Sequence, residues 1–393
     1  MMTHPKNIGL RGVVVADSKI SNVDGENGRL IYRGYSIETL SQKATFSETV
    51  FLLLMGRLPT IDELKSVHQT MADARKLPRN IIDMLKTRSP EADPMDVLQA
   101  SVACLADHDP DIRSDRRSAR VRSSLRLIAR MPMVVAAWYH IRAGRKRPEM
   151  TSNAGQSASF LRTLWGREPT PAEARLVDIL TVIHAEHSFN ASTFTVRQVT
   201  STKAHIYAAV SAGVGSLSGS LHGGANACVM DMLMEIGSIN NVEPWVRKRI
   251  ESHERIMGFG HSVYKTTDPR ATILRNMAKD TLAGKPEEHW FRLALEVEKV
   301  THRLLLEIRG LDLHPNVDFY SGGVLQALGL PTEFFPAFFA ISRVTGWCAH
   351  AIEEEFADAQ PKAVLYRPSV NYTGKMHEPD GLPFTPIQER GNG

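Results

Sequence analysis

The sequence has few cysteines and no long uninterrupted apolar run. Only three cysteines occur among 393 residues, and they form no CxxC pair. Their spacing indicates neither a disulfide framework nor a zinc knuckle, and it favours a reducing compartment. The most apolar window, 321–342, contains two prolines and a glutamate, so we expect no membrane span. The N-terminal segment lacks the apolar core of a signal peptide, and we therefore expect a cytoplasmic protein.

An excess of charge of one sign is also missing. The formal net charge is only +4, which suits an anionic ligand but gives no argument for nucleic-acid binding. Seven arginines are concentrated within residues 113–130, interleaved with apolar residues. We interpret this stretch as an amphipathic helix with a solvated basic face. A surface that binds an anionic ligand is the alternative interpretation.

Helical periodicity dominates the chain after about residue 36, and the 42% of apolar residues allow a large core. Residues 60–63 and 170–173 both have the pattern of a helix-starting capping box. Short β-rich runs at 13–15 and 30–32 predict an N-terminal β-hairpin. The fold class is therefore mainly α with a short N-terminal β-hairpin. The clearest helices are predicted over 45–55, 112–129, 132–143, 201–214, 226–236, 244–251, 268–282, 287–308 and 334–355.

Three segments place an ionisable side chain among small or apolar residues. His222 precedes two glycines and a predicted helix, whose dipole would lower the pKa of the imidazole and keep it neutral. His261 lies in a glycine-flanked loop. Asp318 stands beside valine, phenylalanine and tyrosine, which would raise its pKa and suit a general base. An interhelix turn, an exposed loop and a turn-capping aspartate are the corresponding structural interpretations.

Two arginines occupy positions that favour an anionic partner. Arg270 falls in the first turn of a predicted helix, where free N–H groups and a guanidinium can bind a carboxylate or phosphate. Arg343 interrupts an apolar helix, so it must pair with an internal carboxylate or with a bound anion. His184 and His187 lie three residues apart, a spacing that can ligate a metal ion, so a metal hydrolase is a further alternative.

In their order along the chain, these segments resemble the citrate synthase family. The matching motifs are HAEHSFNAST, SLHGGAN, GFGHSVYKTTDPRA, PNVDFYSG, ISRVTGW and YRP with NYTG, and the opening segments are similar too. The resemblance implies a two-domain helical fold, with a large domain over 1–222 and 326–393 and a small domain over 223–325. It implies a homodimer of the dimeric type without NADH control, and neither a metal ion nor a permanently bound cofactor.

The resemblance also implies a role for each matching residue. Asp318 would deprotonate the carbon next to the thioester, His222 would hydrogen-bond the thioester oxygen, and His261 would polarise the ketone of oxaloacetate. Arg367 would reach the neighbouring subunit's site. The oxaloacetate carboxylates would be held by His187, Arg270 and Arg343. The acyl-CoA cosubstrate would contact Arg255, Met257, Gly258, Phe259, Gly260 and Lys265.

The implied reaction is the condensation of acetyl-CoA with oxaloacetate and water to give citrate and CoA. Some motifs look more like 2-methylcitrate synthases, which use propionyl-CoA: Arg367-Pro-Ser369, the following Asn371-Tyr-Thr-Gly374, and FNAST. The motif NVDFYSG looks more citrate-like. A 2-methylcitrate synthase, or an enzyme of dual specificity, is therefore the alternative. A catalytically inert homologue that binds CoA and oxaloacetate is an alternative of another class.

Overall fold

The computed structural model describes residues 8–10, 12–146, 148, 155–374, 382 and 384–390. Near the N-terminus three short strands form an antiparallel sheet in the order β1 (Ser21–Asp24), β2 (Arg29–Tyr32) and β3 (Tyr35–Ser36). The predicted hairpin is confirmed, but its first strand was misplaced. Residues 13–15 have no regular secondary structure, and Val14 is 85% exposed.

Sixteen α-helices follow among the described residues, so the mainly α prediction is confirmed. They are α1 (Ile37–Lys43), α2 (Phe46–Met55), α3 (Ile61–Ala74), α4 (Arg79–Lys86), α5 (Pro94–Leu105), α6 (Arg117–Arg142), α7 (Gln156–Trp165), α8 (Pro171–His184), α9 (Ala191–Ser201), α10 (Ile206–Ser218), α11 (Ala225–Ile236), α12 (Val242–Glu251), α13 (Pro269–Leu282), α14 (Glu288–Arg309), α15 (Val317–Ala327) and α16 (Phe335–Glu355).

Local sequence accounts for many of the helix starts. Thr60 and Thr170 each accept the N–H of the glutamate three residues on, and that glutamate bonds back to the threonine N–H. Both predicted capping boxes are therefore present, and they satisfy amide groups that the first helical turn leaves unpaired. Gly56, in a left-handed conformation with φ of 81°, ends α2 at the predicted place.

The prediction was wrong where burial overrides local propensity. The sequence predicts two helices over 112–129 and 132–143, whereas α6 is one helix that contains Pro132. Proline normally interrupts a helix because it lacks an N–H. Here Met131 and Met133 are fully buried, and the packing of this segment offsets the lost hydrogen bond. The helix predicted over 201–214 is also displaced, since α9 ends at Ser201 and His205 caps the start of α10.

The arginine-rich stretch contacts carboxylates within the protein. Arg120 makes two hydrogen bonds to Glu355, of 2.6 and 2.8 Å, and its side chain is only 7% exposed. Arg126 lies 2.5 Å from both Asp109 and Asp111. The prediction of a solvated basic face is therefore wrong for these two arginines, and both are already engaged by carboxylates rather than open to an anionic ligand.

Helix α16 is the central element of the core. Almost all of its residues are buried, and it packs against α2, α5, α6, α8, α9 and α10. Helices α11 to α15 pack mainly with one another, and α13 also contacts α1 and α8. The division into a large domain and a small domain over 223–325 stays a prediction. Within the described part of the chain, no helix is long and apolar enough to cross a membrane.

Candidate active site

A cavity of about 430 Å³ forms where six separate parts of the chain meet. Six of the predicted site residues contribute to its wall: His187, His222, His261, Arg270, Asp318 and Arg343. The other described residues of the wall are Val23, Ser188, Phe189, Asn190, Leu221, Ser262, Val263, Val317 and Phe339. Residues as far apart in the sequence as Val23 and Arg343 thus face one small space.

His222 lies in the turn between α10 and α11. Its Nε2 accepts the backbone N–H of Ser192 at 3.2 Å, so the proton of the neutral ring is on Nδ1. Burial, followed by the positive charge of Arg343, lowers the pKa of His222 to about 4. The direction agrees with the sequence argument, but burial rather than the helix dipole is the main cause. Gly223 has no room for a side chain, since a Cβ there would come within 2.2 Å of the Leu217 carbonyl oxygen.

His261 has the opposite tautomer. Its Nδ1 accepts the backbone N–H groups of Val263 at 3.0 Å and Tyr264 at 3.1 Å, which leaves the proton on Nε2. Burial, followed by the charge of Arg270, lowers the pKa of His261 to about 4. The ring of His187 packs edge-on against that of His261 at a centroid distance of 5.3 Å. Burial also holds the pKa of His187 well below its usual value, so all three imidazoles are neutral at pH 7.

Asp318 lies in the first turn of α15 and lines the cavity. Burial raises the pKa of its carboxyl to about 6, and the nearby charge of Arg270 acts in the opposite direction. The N-cap residue Asn316 accepts the N–H of Asp318 at 3.0 Å and donates from its amide to the carbonyl of Gly260 at 2.9 Å. The segment that carries Asp318 is thereby fixed to the loop that carries His261.

The two arginines of the wall differ in their partners. Arg270 makes two hydrogen bonds to the buried Asp268, of 3.0 and 2.7 Å, which hold the pKa of that carboxyl below its usual value despite burial. Arg343 is 1% exposed and donates from Nε to the His184 carbonyl at 2.8 Å. Burial lowers the pKa of Arg343 to about 10, and the charge of Glu186 acts in the opposite direction. Glu186 acts on Arg343 through its charge without a direct ion pair, and a bound anion at Arg343 stays a prediction.

The remaining predicted residues do not line the described cavity. Arg255 and Arg367 are exposed, and Lys265 forms an ion pair with Glu26 of the hairpin turn. The predicted CoA loop, residues 257–260, precedes His261. At Gly258 the backbone has φ of 77°, and a Cβ would lie 2.9 Å from Phe319, so this glycine has a structural explanation. The proposed binding roles of Arg255, Arg367, Lys265 and residues 257–260 stay predictions.

Sequence reasoning missed a buried group beside the cavity. The carboxylate of Glu186 accepts a hydrogen bond from the Ser21 hydroxyl at 3.0 Å and contacts His350 Nε2 at 3.0 Å. Burial alone would raise the pKa of Glu186, but His350 and Arg343 hold it below its usual value. Glu186, the residue before His187, therefore connects β1 to α16 through these two contacts. The only indication in the sequence that Glu186 lies near the cavity is its position between His184 and His187.

Among the described residues, the histidine pair considered as a metal site has no third ligand nearby. His184 is buried outside the cavity wall, and its Nδ1 hydrogen-bonds the Leu180 carbonyl at 2.8 Å. His187 instead contacts the hydroxyl of Tyr264 at 3.2 Å. Among the residues that the structure describes, neither belongs to a group of three possible metal ligands. The metal-hydrolase alternative is therefore not supported at this position.

Comparison with known sequences finds proteins of the family that the motifs of this site resemble. A sequence model described as "Citrate synthase, C-terminal domain" matches residues 9–369. The citrate synthase of Synechocystis sp. is 40% identical over 97% of this chain and 93% of its own length, and citrate synthase 2 of Bacillus subtilis is 39% identical over 97% and 98%.

Solved structures lead to the same group of proteins. The citrate synthase of Pyrobaculum aerophilum has a TM-score of 0.89 at 33% identity, covering 97% of this chain and 95% of its own. A citrate synthase from Thermoplasma acidophilum, in a ternary complex with carboxymethyl coenzyme A and oxaloacetate, has a TM-score of 0.89 at 29% identity, covering 99% and 100%. The helical fold and these matches define an enzyme that transfers an acyl group. The chain belongs to the citrate synthase family.

Proposed function

We propose that this protein is a citrate synthase that condenses acetyl-CoA with oxaloacetate and water to give citrate and CoA. The observation that carries the proposal is the meeting of Asp318, His222 and His261 in one cavity beside Arg343. The first three offer a base and two neutral hydrogen-bond donors, while Arg343 offers a buried positive charge whose Nε donates to a backbone carbonyl. A small dianion such as oxaloacetate would supply the missing negative charge.

Asp318 and His222 act together in the first step. The proton on the carbon next to a thioester is weakly acidic, so a carboxylate alone is a weak base for it. The Nδ1–H of His222 donates to the thioester oxygen while Asp318 takes the proton, and the developing negative charge is stabilised as an enol forms. A base with a pKa near 6 is ionised at pH 7 yet stronger than an ordinary aspartate.

His261 acts on the second substrate. Its Nε2–H polarises the ketone of oxaloacetate and provides the proton for the new hydroxyl when the enol carbon attacks. His187, Arg270 and Arg343 hold the two carboxylates, so that the ketone carbon faces the enol. Water then hydrolyses the citryl thioester, which releases citrate and CoA and drives the reaction forward. No metal or redox chemistry is needed for these bonds to form and break.

The binding of the CoA moiety involves groups at the edge of the cavity. Arg255, Lys265 and the loop over residues 257–260 contact the CoA portion, which is too large for a cavity of about 430 Å³. Residues 223–325 form the small domain, and its closure over residues 1–222 and 326–393 excludes water from the enol. Lys265 is held by Glu26 in the present conformation, so it must exchange partners when CoA binds.

The enzyme works as a homodimer in which Arg367 completes the partner's site. Its side chain is exposed in the single chain, which leaves it free to cross an interface. Co-expression of Asp318→Asn and Arg367→Ala chains tests this. Each homodimer is inactive, but a mixed dimer has one intact site if Arg367 acts across the interface, giving about a quarter of full activity for random pairing. If the arginine acts within its own chain, mixing restores nothing.

The main experiment measures release of the CoA thiol with oxaloacetate and either acetyl-CoA or propionyl-CoA. We expect acetyl-CoA to be preferred at least about tenfold in kcat/KM, equivalent to about 1.4 kcal/mol. A preference for propionyl-CoA, or equal use, identifies a 2-methylcitrate synthase or an enzyme of dual specificity. Release of thiol with neither substrate identifies the inert homologue. Asp318→Asn should remove turnover and keep oxaloacetate binding.

A further inference from the structure

We propose that His302, Asp312 and His314 form a binding site for a divalent transition-metal ion of the zinc class. One ligand atom from each residue lies within 4.8 Å of the other two. The Oδ1 atom of Asp312 is 2.9 Å from Nε2 of His302 and 3.4 Å from Nε2 of His314. None of the three lines the active-site cavity, so this site is separate from the proposed reaction centre.

The local fold explains how three residues from one short stretch converge. Helix α14 ends at Arg309, and Gly310 adopts a left-handed conformation with φ of 62°. The chain then turns back, with the N–H of Leu311 donating to the Leu305 carbonyl at 3.2 Å. His302 lies seven residues before the helix end, which is two turns or about 10 Å. Asp312 and His314 therefore return alongside the turn of α14 that carries His302.

The distances suit a tetrahedral ion. Zinc binds imidazole nitrogen and carboxylate oxygen at about 2.0–2.2 Å, which places adjacent ligand atoms about 3.4 Å apart. The distance from Asp312 to His314 already matches this value, and the distance to His302 is shorter. Two imidazoles and one carboxylate favour zinc, cobalt, nickel or copper over magnesium or calcium, which prefer oxygen ligands. The side chains of His302 and Asp312 are 42% and 65% exposed, so an ion can enter and keep a water in its fourth position.

A bound ion would restrain the segment that leads to Asp318. The carbonyl of His314 accepts the N–H of Gly260 at 2.9 Å, and the N–H of Asn316 donates to the carbonyl of Gly258 at 2.8 Å. The ion would thus fasten α14 to a strand-like segment that already pairs with the loop before His261. Because the folded chain presents all three ligands together, binding should stabilise the folded state by an amount that rises with the logarithm of the ion concentration above Kd.

Titration of the metal-free protein with Co²⁺ tests the proposal, since tetrahedral Co²⁺ has visible absorption bands. We expect one Co²⁺ per chain, displaced by Zn²⁺, and a rise in Tm when Zn²⁺ is added. His302→Ala and His314→Ala should each weaken binding at least tenfold and remove the Zn²⁺-dependent rise in Tm. Asp312→Asn should also weaken binding, because it keeps the shape but removes the negative charge.

His289→Ala is the matched control, because His289 is an exposed histidine on the same helix and lies outside the cluster. It should leave Co²⁺ binding unchanged. The absence of a Co²⁺ spectrum in the wild-type protein would overturn the proposal. So would a spectrum that both His302→Ala and His314→Ala leave intact, since the ion would then be bound elsewhere. The Tm of each variant without metal verifies that it is folded.

Discussion

The Nε2 atom of His222 lies 3.2 Å from the backbone nitrogen of Ser192 and 2.8 Å from its hydroxyl oxygen. A backbone N–H can only donate, so this contact decides which ring nitrogen of His222 carries the proton. Ser192 is the second residue of α9, where an N–H has no partner within the helix. An otherwise unpaired amide at a helix start thus orients the imidazole that we propose to be catalytic.

Removal of that amide should reduce turnover more than removal of the hydroxyl. Ser192→Pro removes both groups at a helix position where proline is tolerated, whereas Ser192→Ala keeps the N–H. We expect kcat to fall by about 10²-fold or more in Ser192→Pro, as when an oxyanion-stabilising donor is lost, and by less than about tenfold in Ser192→Ala. Equal losses in the two variants would contradict a role for the amide. The Tm of both variants controls for misfolding.

The activity should depend on the ionisation of Asp318. This carboxyl must lose its proton to act as a base, and burial raises its pKa to about 6. We therefore expect kcat/KM for acetyl-CoA to rise with pH, to reach half its maximum near pH 6, and to stay level through pH 8. His222 and His261 have pKa values of about 4 and contribute no second rise in this range. A half-maximum near pH 8 would refute the assignment of the base.

The same carboxyl should make the folded protein less stable as pH rises. A folded-state pKa above the unfolded value means that the folded state holds its proton longer, so stability is lost between about pH 4 and pH 6. The shift of about two units corresponds to at most about 3 kcal/mol, and partial exposure of the side chain reduces this. We expect Asp318→Asn to be more stable than wild type at pH 7.5 and similar to it below pH 4. Urea unfolding at both pH values measures the difference.

Because of Arg343, binding of oxaloacetate should raise the thermal stability of the protein. A buried guanidinium without an anion costs free energy, and a bound carboxylate relieves that cost. We expect oxaloacetate to raise the Tm of the wild-type protein and to have no effect on Arg343→Met. Without ligand, Arg343→Met should be at least as stable as wild type, because methionine fills the space without a charge. A large loss of stability without ligand would show that an internal partner had been removed instead.

Any side chain at position 258 should lower the free energy of unfolding. The φ of 77° at Gly258 disfavours other residues, and a Cβ would clash with Phe319 and Val229. The exposed Gly284 is the matched control, since its φ is 73° but no atom lies within 4 Å of a Cβ placed there. We expect Gly284→Ala to cost about 1 kcal/mol from the backbone alone. Gly258→Ala should cost at least about 1 kcal/mol more, because overpacking adds to it. Denaturant unfolding compares the two.

Local patterns in the sequence predicted much of the fold and the membership of the cavity. Capping residues, helical spacing and the glycine at position 56 located several helix ends because those signals act over a few residues. Pro132 shows the limit, since only the surrounding core explains why α6 continues through it. The partners of Arg343 could not be predicted either, because they depend on which groups lie nearby in space. The tautomers of His222 and His261 could not be predicted, because they depend on backbone N–H groups. Nearly every residue has such a group, so the sequence does not show which one contacts the ring.

The N-terminal hairpin also has a consequence for how the protein is made. Val23 lines the cavity, Ser21 bonds to a carboxylate 165 residues away, and the carbonyl of Gly25 accepts the N–H of Lys265 at 2.9 Å. Strand β1 is therefore translated long before these partners, and Arg343 is translated later still. Closing loops of this length is slow. The complete cavity wall can thus form only after α16 has been translated, and a chain interrupted before α16 would have the hairpin but not the complete cavity.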